Sequence, residues 1–580
     1  MSQAGLRGPA AVDMIACAMR FVILLLLVLP VLPQERDYAR SMVISDRGIV
    51  ATSQTLASQA AAQILARGGS AVDAAIAANA TLAVVEPMMC GLGGDLFAIY
   101  WDAKTGKLTG LNASGWAPKG LTIDFLKSLG DEKMPERGIQ SVTVPGAVDG
   151  WAKLHERFGK RPWAELFEPA IYYAEHGYPV TELIQADWHN TVRKLSADEN
   201  GRRIFLHNGA APKMGEVFRD PEMAAAFRLI AAQGPQAFYR GPIAQAILKT
   251  SQRLGGKMSA ADLSEFTAEW VQPISTEYRG WRVYEMPPNS QGIAALEMLN
   301  IFSQFPLQQY FSRSADELHV QIEAQKLSYA DLHRYVADPK FAKVPVDGML
   351  SMSYARERAH QIDPKKANCD VPPGQPLPTG GDTIYLSVVD RDGNILSLIE
   401  SLYSSFGSGV VVDDYGFALQ NRGGLFTLDA HHPNALAPRK RPFHTIIPAF
   451  MEKGDVHIGF GIMGGFNQAQ AHAQFVSNIA DQEMNIQAAL EAPRFTKLTT
   501  GGCDLEIENR VPGEVLDALA ARGHKLRLLA DYSQTVGGGQ AVMHDSRANI
   551  NYGASDPRKD GAAVPEPHPY FTSSASPRSR

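Results

Sequence analysis

The chain has 580 residues, 45% of them hydrophobic and 20% charged, enough apolar material for a large buried core. Its formal net charge of −6 supplies no basic surface field, which argues against nucleic acid as a partner. The four cysteines, Cys17, Cys90, Cys369 and Cys503, form no CxxC pair and no metal-finger spacing; a disulfide cannot be read from them, and staples are not expected to hold the fold.

In chain order, Met19-Arg20 precede a nine-residue apolar run, Phe21 to Leu29, closed by Pro30. A basic head before so short a run suits a secretory signal better than a span, which needs about 20 residues. Residues 1–40 are therefore a signal or lead-in segment, with export expected and a retained anchor or a cytosolic location as alternatives. No later run is long enough to cross a bilayer. A strand is expected at 48–52, a helix at 57–66 stopped by Gly68-Gly69, and a second helix at 71–85 ended by Glu86-Pro87. Residues 96–101 and 108–111 pair as a hairpin. From about 150 to 365 the pattern is largely helical, for example over 318–329.

Residues 369–381 hold four prolines and three glycines and read as an exposed, unstructured linker. A strand begins directly after it, with Thr383 first. Residues 383–389 and 395–402 flank Asp390-Arg391-Asp392-Gly393-Asn394, a hairpin turn. A second hairpin joins 445–451 to 456–459, helices follow at 467–480 and 512–522, and 557–580 reads as a disordered tail.

Several segments, in order, carry a resemblance. They are 48–95 (GIVATSQTLASQAAAQ through GLGGD), TVPGAVDG at 143–150, GDTIYLSVVDRDGN at 381–394, FGSG at 406–409, KRPFHTIIP at 440–448, MGG at 463–465, EAPRF at 491–495 and GASDPR at 553–558. The chain resembles the γ-glutamyltranspeptidase family across nearly all of 42–558. The resemblance implies a four-layer αββα sandwich of the N-terminal-nucleophile hydrolases. It implies a precursor cut between Asp382 and Thr383, giving a large subunit (41–382) and a small one (383–580) that stay together as one heterodimer. Thr383 would be the nucleophile, with its own freed α-amine as base, near pKa 7.7–8.0 in reference peptides. Ser401 matches the family's second hydroxyl residue, usually Thr, and Gly464-Gly465 match its oxyanion donors. No metal or organic cofactor is implied. Asn421, expected at the end of a strand in the same pocket, is a candidate substrate ligand.

The expected substrate pocket departs from the family. The arginine that clamps the substrate α-carboxylate aligns with Ser114. The aspartate that receives the α-amine aligns with Leu425, the paired serines with His444-Thr445, and an asparagine with Tyr403. Arg422 is new. Losing two charged partners removes roughly 1.5–3 kcal/mol each. The expected substrate is therefore an amide whose acyl part carries a carboxylate but no α-amine, as in branches resembling oxamate amidohydrolase or glutaryl-type acylases, with Arg422 on the carboxylate. A genuine γ-glutamyl enzyme acting on glutathione is the alternative.

Other readings are weaker. Gly459 to Gly464 spells GxGxxG, but about 20 residues on Asp481-Gln482-Glu483 falls in a helical stretch, so a dinucleotide-binding oxidoreductase is not favoured. His431, His432 and His444 lack a completing carboxylate or cysteine, so no metal is expected. A catalytically dead scaffold would lack Thr383, Ser401 or Gly464-Gly465, and all are present.

Overall fold

Central strands covered on both faces read as continuous apolar runs, and Ile395–Tyr403 is buried at every position, so layers must lie on each side of it. In the computed structural model, which describes Arg36 and residues 38–371, 382–499 and 501–570, those layers are present. The expected signal run at 19–29 and the linker residues 372–381 lie outside the described residues. Residues 40–580 form a unit separate from 1–39, and all that follows concerns it.

Two seven-stranded antiparallel sheets pack face to face. One runs Ala562–Pro565, Ile49–Thr52, Asp382–Val389, Ile395–Tyr403, Asp95–Asp102, Lys107–Ala113 and Glu269–Val271. The other runs Val43–Ser45, Ile550–Ser555, Gly539–Asp545, Val456–Ile462, Ala449–Lys453, Trp281–Glu285 and Ile274–Tyr278. Phe97, Tyr385 and Ile399 of the first meet Phe450 and Val542 of the second in the inter-sheet core. Helices cover both outer faces, with Thr55–Ala66 and Ala71–Val85 on the first sheet and Gly292–Phe302 and Asn467–Ala480 on the second. This is the expected αββα sandwich. Each sheet takes strands from before and after residue 382, so neither segment buries its own sheet faces alone.

The helix Ala71–Val85 is buried throughout. Ser70 and Asp73 form a capping box at its start, and it ends before Pro87. The hairpin turn at Asp390 is held by its carboxylate, which accepts from Asp392 N and Asn394 N at 3.0 Å each.

Four expectations need correction. The strands at 269–285 lie in a stretch expected to be largely helical; Ile274–Tyr278 alternates half-buried and exposed positions, the period of a strand. The strand expected from 445 begins at Ala449, because Pro448 cannot donate to a ladder. The supposed tail is ordered through residue 570. Ala562–Pro565 pairs with Ile49–Thr52, and Arg558, on Glu508 and Asp556, and Glu566, on Arg47, are paired internally instead of solvated; residues 567–570 are exposed, and 571–580 lie outside the described residues. Finally, Cys369 is bonded to Cys503 across 134 residues of sequence. In a chain-entropy account a loop of that length stabilises the uncut chain by about 5 kcal/mol, so a staple does contribute.

Candidate active site

The strand Asp382–Val389 pairs with Ile395–Tyr403, but the register breaks at its start. Asp382 faces Tyr403, Ile384 faces Glu400, and the extra residue in the second strand lies opposite Thr383. The bulge sends Leu402 away from the ladder, its N–H to Met89 O and its carbonyl to Asn421 N. It also turns the Ser401 hydroxyl toward Thr383. The fully buried Thr383 hydroxyl donates to Ser401 Oγ at 3.1 Å, and Ser401 Oγ also accepts from Tyr403 N at 2.7 Å. Tyr403 takes φ +79°, a left-handed conformation uncommon outside glycine.

Tyr403 leads to Arg422. The guanidinium lies 4.8 Å from the Tyr403 ring centroid and donates from Nη1 to Thr445 Oγ1 at 2.5 Å. Arg422 is fully buried, yet its Nε and Nη2 have no hydrogen-bond partner among the described residues, and neither has the Tyr403 hydroxyl. Burial pushes Arg422 down to about 10, with the Asp95 charge opposing the shift, so it stays cationic at neutral pH.

Gln291, which the sequence reading missed, joins this group to the glycine turn: its Nε2 donates to Thr445 O and, at 2.8 Å, to Gly465 O. Gly464 and Gly465 have φ +125° and +57°, a turn that requires glycine. Among the described residues, neither of their N–H groups makes a hydrogen bond, so two donors are open. Thr383, Ser401, Tyr403, Arg422, Thr445 and the Gly464-Gly465 turn are thus tied into one site.

The other expected ligands sit differently. Asn421 follows no regular strand; it caps a short 3-10 turn. Its Nδ2 donates to Glu136 O and Ser404 Oγ, each at 2.8 Å, and its Oδ1 accepts from Ser404 N, so it holds a loop instead of offering donors to a ligand. The Ser114 hydroxyl is committed to Asn112 Oδ1 at 2.7 Å and receives Asn289 Nδ2. His444 is buried with Nε2 at 3.1 Å from Asp95 Oδ2; burial and the Arg422 and Arg441 charges hold it well below its usual pKa, hence neutral. Asp95 was also missed. Burial raises its carboxyl to about 7 against the pull of Arg422 and of the Gly115 and Gly146 N–H groups. Glu400, beside Ser401, is raised by burial to about 8. Asp95 opens a strand after the Gly91–Gly94 turn and Glu400 lies inside one, neither with a spacing signal, so only the fold reveals them.

The strand Val456–Ile462 lies between two antiparallel neighbours, so GxGxxG opens no βαβ unit. His431 is exposed and His432 half-buried, both in a turn, whereas His444 is buried. His319, Glu323 and His524 do cluster within 4.8 Å, but Lys326 Nζ is 2.7 Å from Glu323 and fills the place of a cation.

A family model described as gamma-glutamyltranspeptidase matches residues 57–566. The chain belongs to the gamma-glutamyltranspeptidase family. Within it, the chain is 39% identical over 527 residues to the glutathione hydrolase-like YwrD proenzyme of Bacillus subtilis, covering 90% of this chain and 99% of that one. It is 33% identical over 531 residues to the oxamate amidohydrolase proenzyme of Klebsiella pneumoniae, covering 90% and 99%. Among solved structures, the cephalosporin acylase of Bacillus halodurans superposes with a TM-score of 0.85 at 43% identity, over 92% of this chain and 98% of that one. As a member of the gamma-glutamyltranspeptidase family this chain is an enzyme, a proenzyme-type hydrolase of the N-terminal-nucleophile fold. No helix among the described residues is long and apolar enough to cross a membrane.

Proposed function

We propose that the chain cuts itself between Asp382 and Thr383, and that the new N-terminal threonine hydrolyses an amide whose acyl half carries a carboxylate and no α-amine, of the oxamate or glutaryl type. The observation that carries this reading is Arg422: a buried guanidinium with Nε and Nη2 unbonded beside the unbonded Tyr403 hydroxyl. A buried cation with two open donors on one edge suits a carboxylate, which accepts both.

In the first step Thr383 Oγ1 attacks the Asp382 carbonyl carbon, with its proton passing to the departing Thr383 nitrogen. Water then splits the ester, leaving Asp382 with a carboxylate and Thr383 with a free amine. That amine takes the hydroxyl proton as Oγ1 attacks the substrate carbonyl, and returns it to the leaving amine. The oxyanion would lie against the N–H groups of Gly464 and Gly465. Ser401 Oγ, at 3.1 Å, fixes the direction of Thr383 Oγ1. Water, or a competing amine, removes the acyl group. The Cys369–Cys503 disulfide and the signal-like run at 19–29 support export, since disulfides persist in oxidising compartments.

Two measurements test this. Intact mass of the wild type is expected to give two fragments meeting at 382/383, and Thr383→Ala one uncut chain; a cut in Thr383→Ala would reject self-cleavage by this hydroxyl. Glutaryl anilide is expected to be turned over faster than γ-glutamyl anilide. The reverse order would favour the glutathione-type activity named for several relatives.

A further inference from the structure

A cavity of about 500 Å³ is lined by Arg137, Arg193 and Lys194 together with Ser408, Gly409 and Val410. Many cations among the described residues are matched by acids, as Arg253 is by Asp413 and Arg203 by Glu222. Arg137 and Arg193 are exposed, and neither makes an ion pair or hydrogen bond with a described residue. Lys194 differs: its Nζ donates to Ser404 Oγ at 3.2 Å, Ser405 O at 2.5 Å and Gly407 O at 3.1 Å, so it is a fixed charge that shapes the loop.

That loop joins the cavity to the site. It follows Tyr403 directly, and Ser404 bonds both ends of the Asn421 amide, next to Arg422. From the other wall, Gly138 N donates to Ser408 O at 2.9 Å, while the carbonyl of Glu136 accepts from Asn421 Nδ2. Arg137 is therefore one residue from a direct contact with Asn421. Two acids oppose this charge. Asp198 lines the cavity, but its carboxylate caps Gly201 N at 2.9 Å; Glu136 is exposed on the rim. Three cations against these two leave the cavity net positive.

We propose that this cavity is a second anion subsite, which takes a carboxylate on the amine half of the scissile amide. The inference rests on the acyl-side reading of Arg422 and extends it. The substrate is then anionic on both sides of the bond, as in an N-dicarboxyl-amino acid, with one carboxylate at Arg422 and the other between Arg137 and Arg193. Two separate positive sites, one at Arg422 and one joined to it through the loop after Tyr403, would select such a molecule over a neutral amide by charge at both ends, and the outer site, open to solvent, would be sensitive to salt.

The test is a competition, read against whichever anilide the processed enzyme turns over better. N-glutarylglycine and N-glutarylglycinamide differ only in the charge of the amine half. The expected result is that N-glutarylglycine inhibits at least about tenfold more tightly, that raising the salt concentration shrinks the difference, and that Arg137→Ala/Arg193→Ala abolishes it while Arg137→Lys/Arg193→Lys keeps most of it. Equal inhibition by the two compounds in the wild type, or a preference that survives the double alanine variant, would overturn the subsite. The acyl-side reading fails separately, if γ-glutamyl anilide proves the better reporter; the competition still decides the cavity in that case.

Discussion

Cys369 and Cys503 are bonded to each other on opposite sides of the proposed cut, thirteen residues before Asp382 on one hand and deep in the following segment on the other. Cleavage at 382/383 then changes the meaning of this bond. In the uncut chain it closes a loop; afterwards it is a covalent link between two polypeptides that already share both sheets.

The processed protein should accordingly run as one species under non-reducing denaturing electrophoresis and as two after reduction. Cys503→Ser should show two bands in both conditions while remaining associated in native buffer, because the shared sheets hold the fragments by burial. Two bands from non-reduced wild type would show that the bond does not form in solution.

Arg422 makes its claim through specificity. Arg422→Gln should lower kcat/KM for glutaryl anilide by roughly 10–100-fold, the effect of losing one charge-assisted pair of about 1.5–3 kcal/mol, and lower it far less for uncharged butyryl anilide. Arg422→Lys should fall between, since a point charge replaces a fork. An equal loss on both substrates would assign Arg422 a purely structural role.

The left-handed backbone of Tyr403, opposite Asp382, should matter for processing independently of its ring. Holding a non-glycine residue there costs on the order of 1–3 kcal/mol, and a β-branched residue more. Tyr403→Val should slow fragment formation, followed on gels after cell-free synthesis, by about tenfold, whereas Tyr403→Gly should process at the wild-type rate and lose substrate affinity with the ring. Equal processing of the two variants would separate the bulge from the cleavage.

Glu400 gives a pH signature. Its folded carboxyl is raised by burial to about 8 from an ordinary value of 4.5. Between those values the unfolded chain has released a proton that the folded protein still holds. Stability contributed by this group is therefore full below about pH 4.5 and is lost as pH rises toward 8, by about 1.4 kcal/mol per unit at most. Glu400→Gln should flatten the fall of Tm across that window relative to wild type. Parallel curves would mean Glu400 ionises normally in the fold.

Much of this was legible in the sequence. The helix at 71–85 falls on the expected residues because its cap, its apolar content and its terminating proline are all local. The hairpin around Asp390 and the helix Asn467–Ala480 are read the same way. Collinear motifs carried the family, and with it the αββα layers. Thr383 and Ser401 were named from those motifs, 18 residues apart, and adjacent strands bring them within 3.1 Å.

What the sequence could not supply depends on distance. The partnership of Cys369 with Cys503, the ordering of residues 557–570 through buried ion pairs, and the placing of Gln291 between Thr445 and Gly465 each join segments far apart in the chain. Sequence pattern reports a residue's own preference for a helix, a strand or a turn. It does not report which remote group will use its hydrogen bonds. Asn421, Ser114 and His444 were named from alignment as ligands, and the folded chain has turned their polar atoms to neighbours; Arg422, named the same way, keeps two donors unused. The sequence by itself determined the local elements and, through motifs shared with a family, the layers and the candidate nucleophile, because periodicity and motif are local. Only tertiary structure decided which polar groups remain open to a substrate, because that depends on every neighbour that has already claimed the others.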